Sequence, residues 1–171
     1  MTKTSPTPVG ERSSARMAAV QALYEIDITS AKVDDVLTEF LKDRWKSLVV
    51  ADESEEEDFR EKFADLAQPD PVLLAELIRG VEDRKETLDG IIGPSLKGDW
   101  TVERLEVIVR AILRAGTFEL LTMGDIPAHV VINEYMNVSN AFFDDSQPKL
   151  INGVLDRLAR TLRAPEMEKS E

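Results

Sequence analysis

The chain has no cysteine, one histidine, few aromatic residues and no long apolar run. Without cysteine it can form no disulfide, no thiolate metal site and no thiol nucleophile. No apolar run approaches the roughly 18 residues that a membrane-spanning helix needs, and the first residues lack the apolar core of a secretory signal. We therefore expect a cytoplasmic protein that does not enter a membrane.

Side chains suited to catalysis are also scarce and poorly arranged. The single histidine, His129, stands two residues after Pro127 in the first turn of a predicted helix, where a surface or turn role is commoner than a catalytic one. No Glu-x-x-His pair is available for a carboxylate metal site. The glycines Gly93 and Gly98 flank Lys97 as a helix stop and linker, not as a phosphate-binding loop. We expect no enzyme, no metal site and no cofactor.

Net charge is −12, which argues against a nucleic-acid partner unless the excess is confined to one region. Residues 34–70 carry 13 acidic against 5 basic side chains, whereas residues 1–33 carry 3 acidic against 4 basic ones. The acidic run at 52–58 is either a solubilising loop or a surface that attracts a basic partner. A weakly basic body with an acidic insertion, at 51–68, would account for the total.

Apolar residues recur with a helical period along most of the chain, and no segment alternates with a period of two. The pattern predicts an all-α, single-domain protein of about seven helices packed as a compact bundle. We expect a flexible arm at 1–11, one domain over 12–163 and a flexible tail at 164–171.

Several helix ends can be predicted from local signals. Ser13 or Ser14 can cap the first helix, Ser30 can cap the second, and Asp70 followed by Pro71 marks the start of a long helix. The predicted helices and breaks are a first helix at 12–28, a second from 33 to 48, a short third near 59–66, a fourth from 71 to the stop at 93–94, a fifth at 101–121, a sixth after 127 and a seventh after a polar break at 144–148.

Two groups of polar residues are candidates for binding an anion or a nucleic acid. Arg12 and Arg16 stand four apart at the start of the first helix, where the helix dipole disfavours cations, so they either surround an anion or are neutralised locally by Glu11. In the seventh helix, Asn152 and Gly153 interrupt an apolar stripe. A glycine there costs about 1 kcal/mol of helix propensity, so we expect a group to approach its backbone closely.

Four motifs occur in order: Gln21 to Tyr24, I-L-R-x-x-x-x-E-L from Ile112, D-I-P-x-x-V-x-I-N-E from Asp125, and K-x-[FVIL]-N-G-V-L-D from Lys149. Together they resemble the NusB family of transcription antitermination factors. The likeness extends from about residue 12 to about residue 162, and implies an all-helical, non-enzymatic RNA-binding protein.

The resemblance also implies partners and site residues. NusB-like proteins bind single-stranded boxA RNA together with NusE, a ribosomal protein of the small subunit, and help assemble the antitermination complex on RNA polymerase during ribosomal RNA transcription. It places Tyr24 and Glu103 at the NusE interface, although Tyr24 could equally be a core residue. The residues that it assigns to RNA binding are Arg12, Arg16, Arg114, Lys149, Asn152 and Gly153. Arg114 could equally be solvated or form a tertiary salt bridge. Glu119 and Glu134 are better explained as anchors of helix ends or partners of arginines on the fifth helix than as binding residues.

The sequence departs from the family pattern at two places. Ser13 and Ser14 stand where more arginine is expected, and Leu150 replaces a common aromatic, so RNA affinity should be weaker. Phe142 and Phe143 could partly replace that aromatic, although phenylalanine at helical spacing is usually core. Two alternatives remain open, namely a homodimer that hides its RNA face and a recognition module related to that of RNA methyltransferases.

Overall fold

The computed structural model describes residues 10–42, 67–144 and 146–169. Within these ranges the chain is all-α, as the apolar period predicts, with no strand and two single-turn 3-10 helices at Gly93–Ser95 and Val102–Arg104. The α-helices are α1 Glu11–Thr29, α2 Val33–Lys42, α3 Pro71–Asp83, α4 Lys85–Ile92, α5 Val107–Thr122, α6 Ala128–Phe142, α7 Ser146–Leu162 and α8 Ala164–Lys169. None of them is long and apolar enough to cross a membrane.

Helix α5 occupies the centre of the bundle. It packs against α1, α3, α4, α6 and α7, and every residue from Ala111 to Leu120 is buried. A Cβ at Gly116 would lie 2.9 Å from the Leu155 side chain, so this glycine lets α5 and α7 approach closely. A helix that is buried on all sides places its few polar side chains in the interior, where each needs a partner.

Polar contacts fix the directions of the helices around α5. Asp27, late in α1, meets Arg110, early in α5, so the two helices run antiparallel. In α7, the early residue Gln147 donates to Glu106, which directly precedes α5, and Arg163, which follows α7, reaches carbonyls at the end of α5. Helices α5 and α7 therefore run parallel, with α6 connecting the end of one to the start of the other.

Predicted capping is confirmed at one helix and wrong at two. Asp70 accepts from the backbone N–H groups of Val72 and Leu73, and Pro71 begins α3. Gly10, not a serine, is the N-cap of α1. Ser30 ends α1 in the left-handed conformation, with φ of 57°, and its N–H donates to Ile26 O.

The predicted long fourth helix is interrupted in the structure. Arg84, with φ −115° and ψ 18°, separates α3 from α4, and its N–H is shared between the carbonyls of Gly80 and Val81. The interruption lets α3 face α1 and α2 while α4 faces α5 and α7. The predicted fifth helix starts later than expected, since Leu105 is extended and α5 begins at Val107.

Arg163 closes the corner between α5 and α6. Its guanidinium donates to the carbonyls of Leu120, Met123 and Ile126 at distances of 2.7, 2.9 and 3.0 Å. It also pairs with Glu166, whose other oxygen accepts from the Ala128 N–H at 2.7 Å. These bonds satisfy backbone groups that the end of α5 and the start of α6 leave without helical partners.

The chain beyond residue 163 was expected to be a flexible tail, but residues 164–169 form α8, which packs against α7. The interruption of helix period at 163–164 hid this short helix from the sequence pattern. Residues 1–9, the predicted third helix near 59–66 and most of the acidic insertion at 51–68 lie outside the described residues. Their predicted structures stay predictions.

Candidate nucleic-acid interface

The interior between α1, α5 and α6 contains a linked set of charged side chains. Arg16 is only 3% exposed and donates to both carboxylate oxygens of Glu119, most closely from Nε to Oε2 and from Nη2 to Oε1, each at 2.9 Å. The Tyr135 hydroxyl donates to the same carboxylate. Glu134 lies 3.6 Å from Arg16 and accepts from the Ser13 hydroxyl at 2.8 Å. This buried network joins the start of α1 to the end of α5 and the middle of α6.

Burial and charge act on the pKa values of this network. Burial by itself lowers the pKa of the Arg16 guanidinium, but the hydrogen bonds and negative charge of Glu119 outweigh it, so the net pKa is raised. Burial, followed by the charge of Glu119, raises the pKa of the Tyr135 hydroxyl well above its ordinary value. Arg16 therefore stays charged and Tyr135 stays a neutral hydrogen-bond donor.

The expected anion site of two adjacent arginines is therefore not formed. The Arg16 side chain points into the bundle and is paired with Glu119, whereas Arg12 is exposed in the first turn of α1. Within the described chain, Arg12 has no salt bridge. Residues 14–23 are all buried, because α1 carries small and apolar side chains on every face. That run of alanines around Arg16 was the signal that its charge would be internal.

Arg114 forms a tertiary salt bridge, which is one of the two roles predicted for it, and not the RNA contact. Its Nε and Nη2 donate to the two carboxylate oxygens of Asp89, each at 2.8 Å, and Asp27 lies 3.6 Å away. The side chain is 9% exposed, and its bidentate fork is occupied by Asp89. Both partners are distant in sequence, so no local pattern identified them.

The two residues predicted at the protein interface lie on either side of Arg110. Tyr24 is half-buried one turn before Asp27, whose carboxylate accepts from Arg110 Nη2 at 2.7 Å. Glu103 is exposed, and its backbone carbonyl lies 3.5 Å from Arg110 Nη1. The same arginine thus holds the end of α1 next to the 3-10 helix that precedes α5, which brings Tyr24 and Glu103 to one side of the molecule.

The polar break before the seventh helix is shorter than predicted. Helix α7 begins at Ser146, so Pro148 lies in its first turn, where proline is tolerated, and is buried. Lys149 and Asn152 stand three residues apart on the exposed face of α7. Leu150 between them is half-buried against the core. A lysine and an amide at this spacing can meet a phosphate and a base edge together.

Gly153 confirms the expectation that a group approaches its backbone. That group is the guanidinium of Arg157, which would lie 3.3 Å from a Cβ at this position. Arg157 Nε in turn donates to the Ser95 carbonyl at 2.8 Å. The missing side chain of Gly153 therefore lets Arg157 lie along α7 and hold the segment that follows α4.

An exposed tryptophan lies next to the start of α7, and no sequence motif marked it. Trp100 is 50% exposed, and the guanidinium carbon of Arg104 lies 6.0 Å from its ring centroid. Arg104 also donates to the Asp99 carbonyl at 3.1 Å. Trp100, Arg104 and Leu150 together border two neighbouring depressions of about 270 and 560 Å³. Phe142 and Phe143, named as possible stacking groups, are half-buried against the core.

The exposed candidates are distributed along the bundle. Because α1 runs antiparallel to α5 and α7 runs parallel to it, Arg12 lies near the end of α5 and Lys149 near its beginning. Helix α5 has 16 residues and is therefore about 24 Å long. A surface that contains both cations extends along the bundle and is not one compact pocket.

The described residues contain no group of three or more histidine, cysteine, aspartate or glutamate side chains that could hold a metal ion. His129 is exposed in the first turn of α6. The fold and these side chains define an all-α bundle that is held together by internal salt bridges and carries separate cations and one aromatic ring on its surface.

Comparison with known proteins identifies the family of all-α proteins to which this chain is similar. The family model for the NusB family matches residues 13–160. The transcription antitermination protein NusB of Rhodospirillum rubrum is 42% identical over 155 residues, which cover 88% of this chain and 84% of that protein. NusB of Caulobacter vibrioides is 40% identical, with 89% of this chain and 94% of that protein covered.

Solved structures of NusB proteins also match this chain. The structure of T. maritima NusB aligns with a TM-score of 0.67 at 27% identity and covers 89% of this chain and 92% of that one. A structure of antitermination factors NusB and NusE with double-stranded RNA aligns with a TM-score of 0.63 at 19% identity, covering 87% of this chain and 96% of that one, which shows the shared fold. The chain belongs to the NusB family of transcription antitermination proteins.

Proposed function

We propose that this chain binds single-stranded boxA RNA together with NusE, catalyses no reaction, and helps assemble the antitermination complex on RNA polymerase during ribosomal RNA transcription. The observation that carries the proposal is the 42% identity to a transcription antitermination protein across most of both chains. A solved NusB of the same fold has been captured with NusE and RNA. Action in the cytoplasm follows from this role.

The structure reduces the set of residues offered for RNA binding. Arg16 and Arg114 are buried in salt bridges, so we remove them as contacts. Arg12, Lys149 and Asn152 are exposed and are kept. Gly153 acts through Arg157, by letting it fix the segment next to the RNA-binding face of α7.

Tyr24 and Glu103 support the NusE interface. A half-buried tyrosine offers apolar area and a hydroxyl, and an exposed carboxylate on the same side of the molecule suits a basic ribosomal protein. Both lie near groups that Arg110 joins. Glu103 is also in the 3-10 helix that ends at Arg104, so the protein partner would be bound next to the start of α7.

The proposal is tested by titrating labelled boxA RNA with the chain alone and with NusE, at two salt concentrations. We expect NusE to tighten binding, and charge reversal of Arg12 or Lys149 to weaken it. Removing one cation that meets a phosphate should reduce the slope of log affinity against log salt by about 0.7 for a single strand. Lys42→Glu is the matched control, because this exposed lysine ends α2, whose neighbours are α1 and α3.

Equal binding by Arg12→Glu, Lys149→Glu and Lys42→Glu would remove the proposed contacts. Absence of RNA binding even with NusE present would overturn the function itself. Mass measurement at micromolar concentration, with and without RNA, distinguishes a homodimer with a hidden RNA face, since RNA would then have to convert a dimer into a monomer.

A further inference from the structure

Among the described residues, Trp100 is the only exposed tryptophan, tyrosine or phenylalanine. The others are either buried, as Phe40, Phe118 and Tyr135 are, or half-buried. Leaving half of an indole in water forgoes a large apolar contact, since tryptophan buries more area than any other side chain. The exposed part of the Trp100 indole can therefore stack against a planar group of a partner.

The surroundings of the ring hold it in place. Trp100 follows the turn at Gly98, which has a φ of 67°, and precedes the extended residue Thr101. Arg104 lies over the indole and is itself tied to the Asp99 carbonyl, so one short segment fixes both the ring and its cation. This arrangement reduces the ordering that a ligand would have to impose on the side chain.

Basic side chains line the larger depression beside the ring. Lys97 and Arg104 border it with Trp100, and Lys149 is exposed one residue before Leu150, which borders both depressions. Two carboxylates are also present, Asp99 in the larger depression and Glu106 in the smaller. An exposed ring with a lysine and an arginine beside it offers the two kinds of group that bind a single strand without reading its sequence, namely a stacking face and cations for the backbone.

We propose that Trp100 is a base-stacking platform for single-stranded RNA, with Lys97, Arg104 and Lys149 meeting the adjoining phosphates. The inference rests on the proposed function, and it adds a contact residue outside the segment from Lys149 to Gly153. Leu150 offers only an aliphatic edge at the start of α7, so the flat face is supplied by Trp100 from the preceding connection. Stacking on an indole tolerates any base, whereas Asn152 can read a base edge.

The test uses the full chain with Trp45→Phe, which leaves Trp100 as its one tryptophan. Anisotropy of labelled boxA RNA reports binding, and fluorescence of Trp100 reports stacking in the same titration with NusE present. We expect binding and quenching to saturate together. Trp100→Ala should weaken RNA binding about 5- to 100-fold, as measured for single base–aromatic stacks, and Trp100→Phe should restore most of the affinity.

The stacked nucleotide is located by a double-mutant cycle that combines Trp100→Ala with RNAs that each lack one base. At that nucleotide, removal of the base should weaken wild-type binding and have almost no further effect on Trp100→Ala. Leu41→Ala, which shortens an exposed apolar side chain at the end of α2, is the control and should leave RNA binding unchanged. Far-ultraviolet circular dichroism verifies that each variant is folded.

The outcomes separate the two proposals. RNA binding without quenching, and with unchanged affinity in Trp100→Ala, would overturn the stacking role and leave the proposed function intact. Quenching by NusE in the absence of RNA would assign Trp100 to the protein interface and overturn the stacking role as well. Absence of any anisotropy change with NusE present would overturn both.

Discussion

A charged side chain is stable inside this protein only because its partners are fixed around it. Arg16 and Glu119 both lose their hydration on burial, and the hydrogen bonds between them, with one from the Tyr135 hydroxyl to Glu119, replace it. Such a pair adds little compared with apolar residues of the same shape, but removal of one partner leaves an uncompensated buried charge. The network therefore specifies how α1, α5 and α6 meet.

We expect Arg16→Met to lower the free energy of unfolding by about 3–5 kcal/mol, because Glu119 would remain buried without a cation. Arg12→Met, one turn earlier and exposed, should change it by less than about 0.5 kcal/mol. Urea denaturation followed by circular dichroism measures both. Adding Glu119→Gln to Arg16→Met should recover part of the loss, and a failure to recover any would mean that packing, not charge, is responsible.

The kind of contact that a residue makes was more predictable than its partner. Glu119 and Glu134 do lie against an arginine, as predicted, but it is Arg16 of α1 and not an arginine of α5. For Arg114 the tertiary salt bridge, one of the two predicted roles, is confirmed, whereas the exposed anion site that included Arg16 was wrong. Salt bridges across 103 and 25 residues depend on how helices pack, which the period of one helix does not reveal.

At the scale of helices, glycine allows two elements to approach where no side chain would fit. A Cβ at Gly80 in α3 would lie far inside van der Waals contact with the Phe118 ring in α5. Gly90 in α4 has no atom of another group within 4 Å of the same position. The two glycines therefore share their effect on helix propensity and differ in packing.

This difference can be measured with one substitution at two sites. Gly90→Ala should stabilise the protein by about 0.5–1 kcal/mol, because alanine is the better helix former. Gly80→Ala gains the same helix propensity and loses about 1–3 kcal/mol by displacing the Phe118 ring. Thermal or urea unfolding compares them, and equal stability of the two variants would show that α3 and α5 separate without cost.

Helix identity was predicted more reliably than helix ends. Asp70 with Pro71, and Pro127 before α6, mark starts by chemistry that acts within one turn, and both are confirmed. The break at Arg84 has no such local signal, because the apolar period continues through it. The chain bends there so that α3 and α4 can contact different neighbours, and only the assembled bundle defines those neighbours.

On the scale of the whole molecule, stability depends on the protonation of Tyr135. Burial first, and Glu119 second, raise its pKa well above the ordinary value of about 10. Below that ordinary value both the folded and unfolded chains hold the proton, so its stabilising effect is fully present. Above it the unfolded chain loses the proton while the folded one keeps it, and stability falls as pH rises towards the folded pKa.

We expect the unfolding free energy to decline above about pH 10 with an extra slope of about 1.4 kcal/mol per pH unit due to this residue. Tyr135→Phe should be less stable at neutral pH by about 1.5–3 kcal/mol, through loss of the hydroxyl bond to a charged group. Its difference from the wild type should shrink above about pH 10. Urea unfolding at pH 7 to 11 measures this, and a constant difference would contradict it.

The all-α class and the compact helical bundle were predictable because apolar period and motif order reflect packing of the whole chain, but the central position of α5 was not predicted. The exposed face around Trp100 was not predicted. Trp100 lies in a connection between helices, where no period indicates direction, and its neighbour Leu150 comes from a segment 50 residues away. Trp100 and Leu150 come together because α5 and α7 run parallel, so that the segment before α5 lies next to the start of α7.

The position of Arg163 in the chain affects the order in which parts of the bundle can become stable. The carbonyl groups that it caps belong to a corner about 40 residues earlier in the chain. During synthesis on the ribosome, α5 and α6 therefore emerge before the side chain that secures their junction. The earlier helices can begin to pack first, but the junction between α5 and α6 is secured only after Arg163 has left the ribosome.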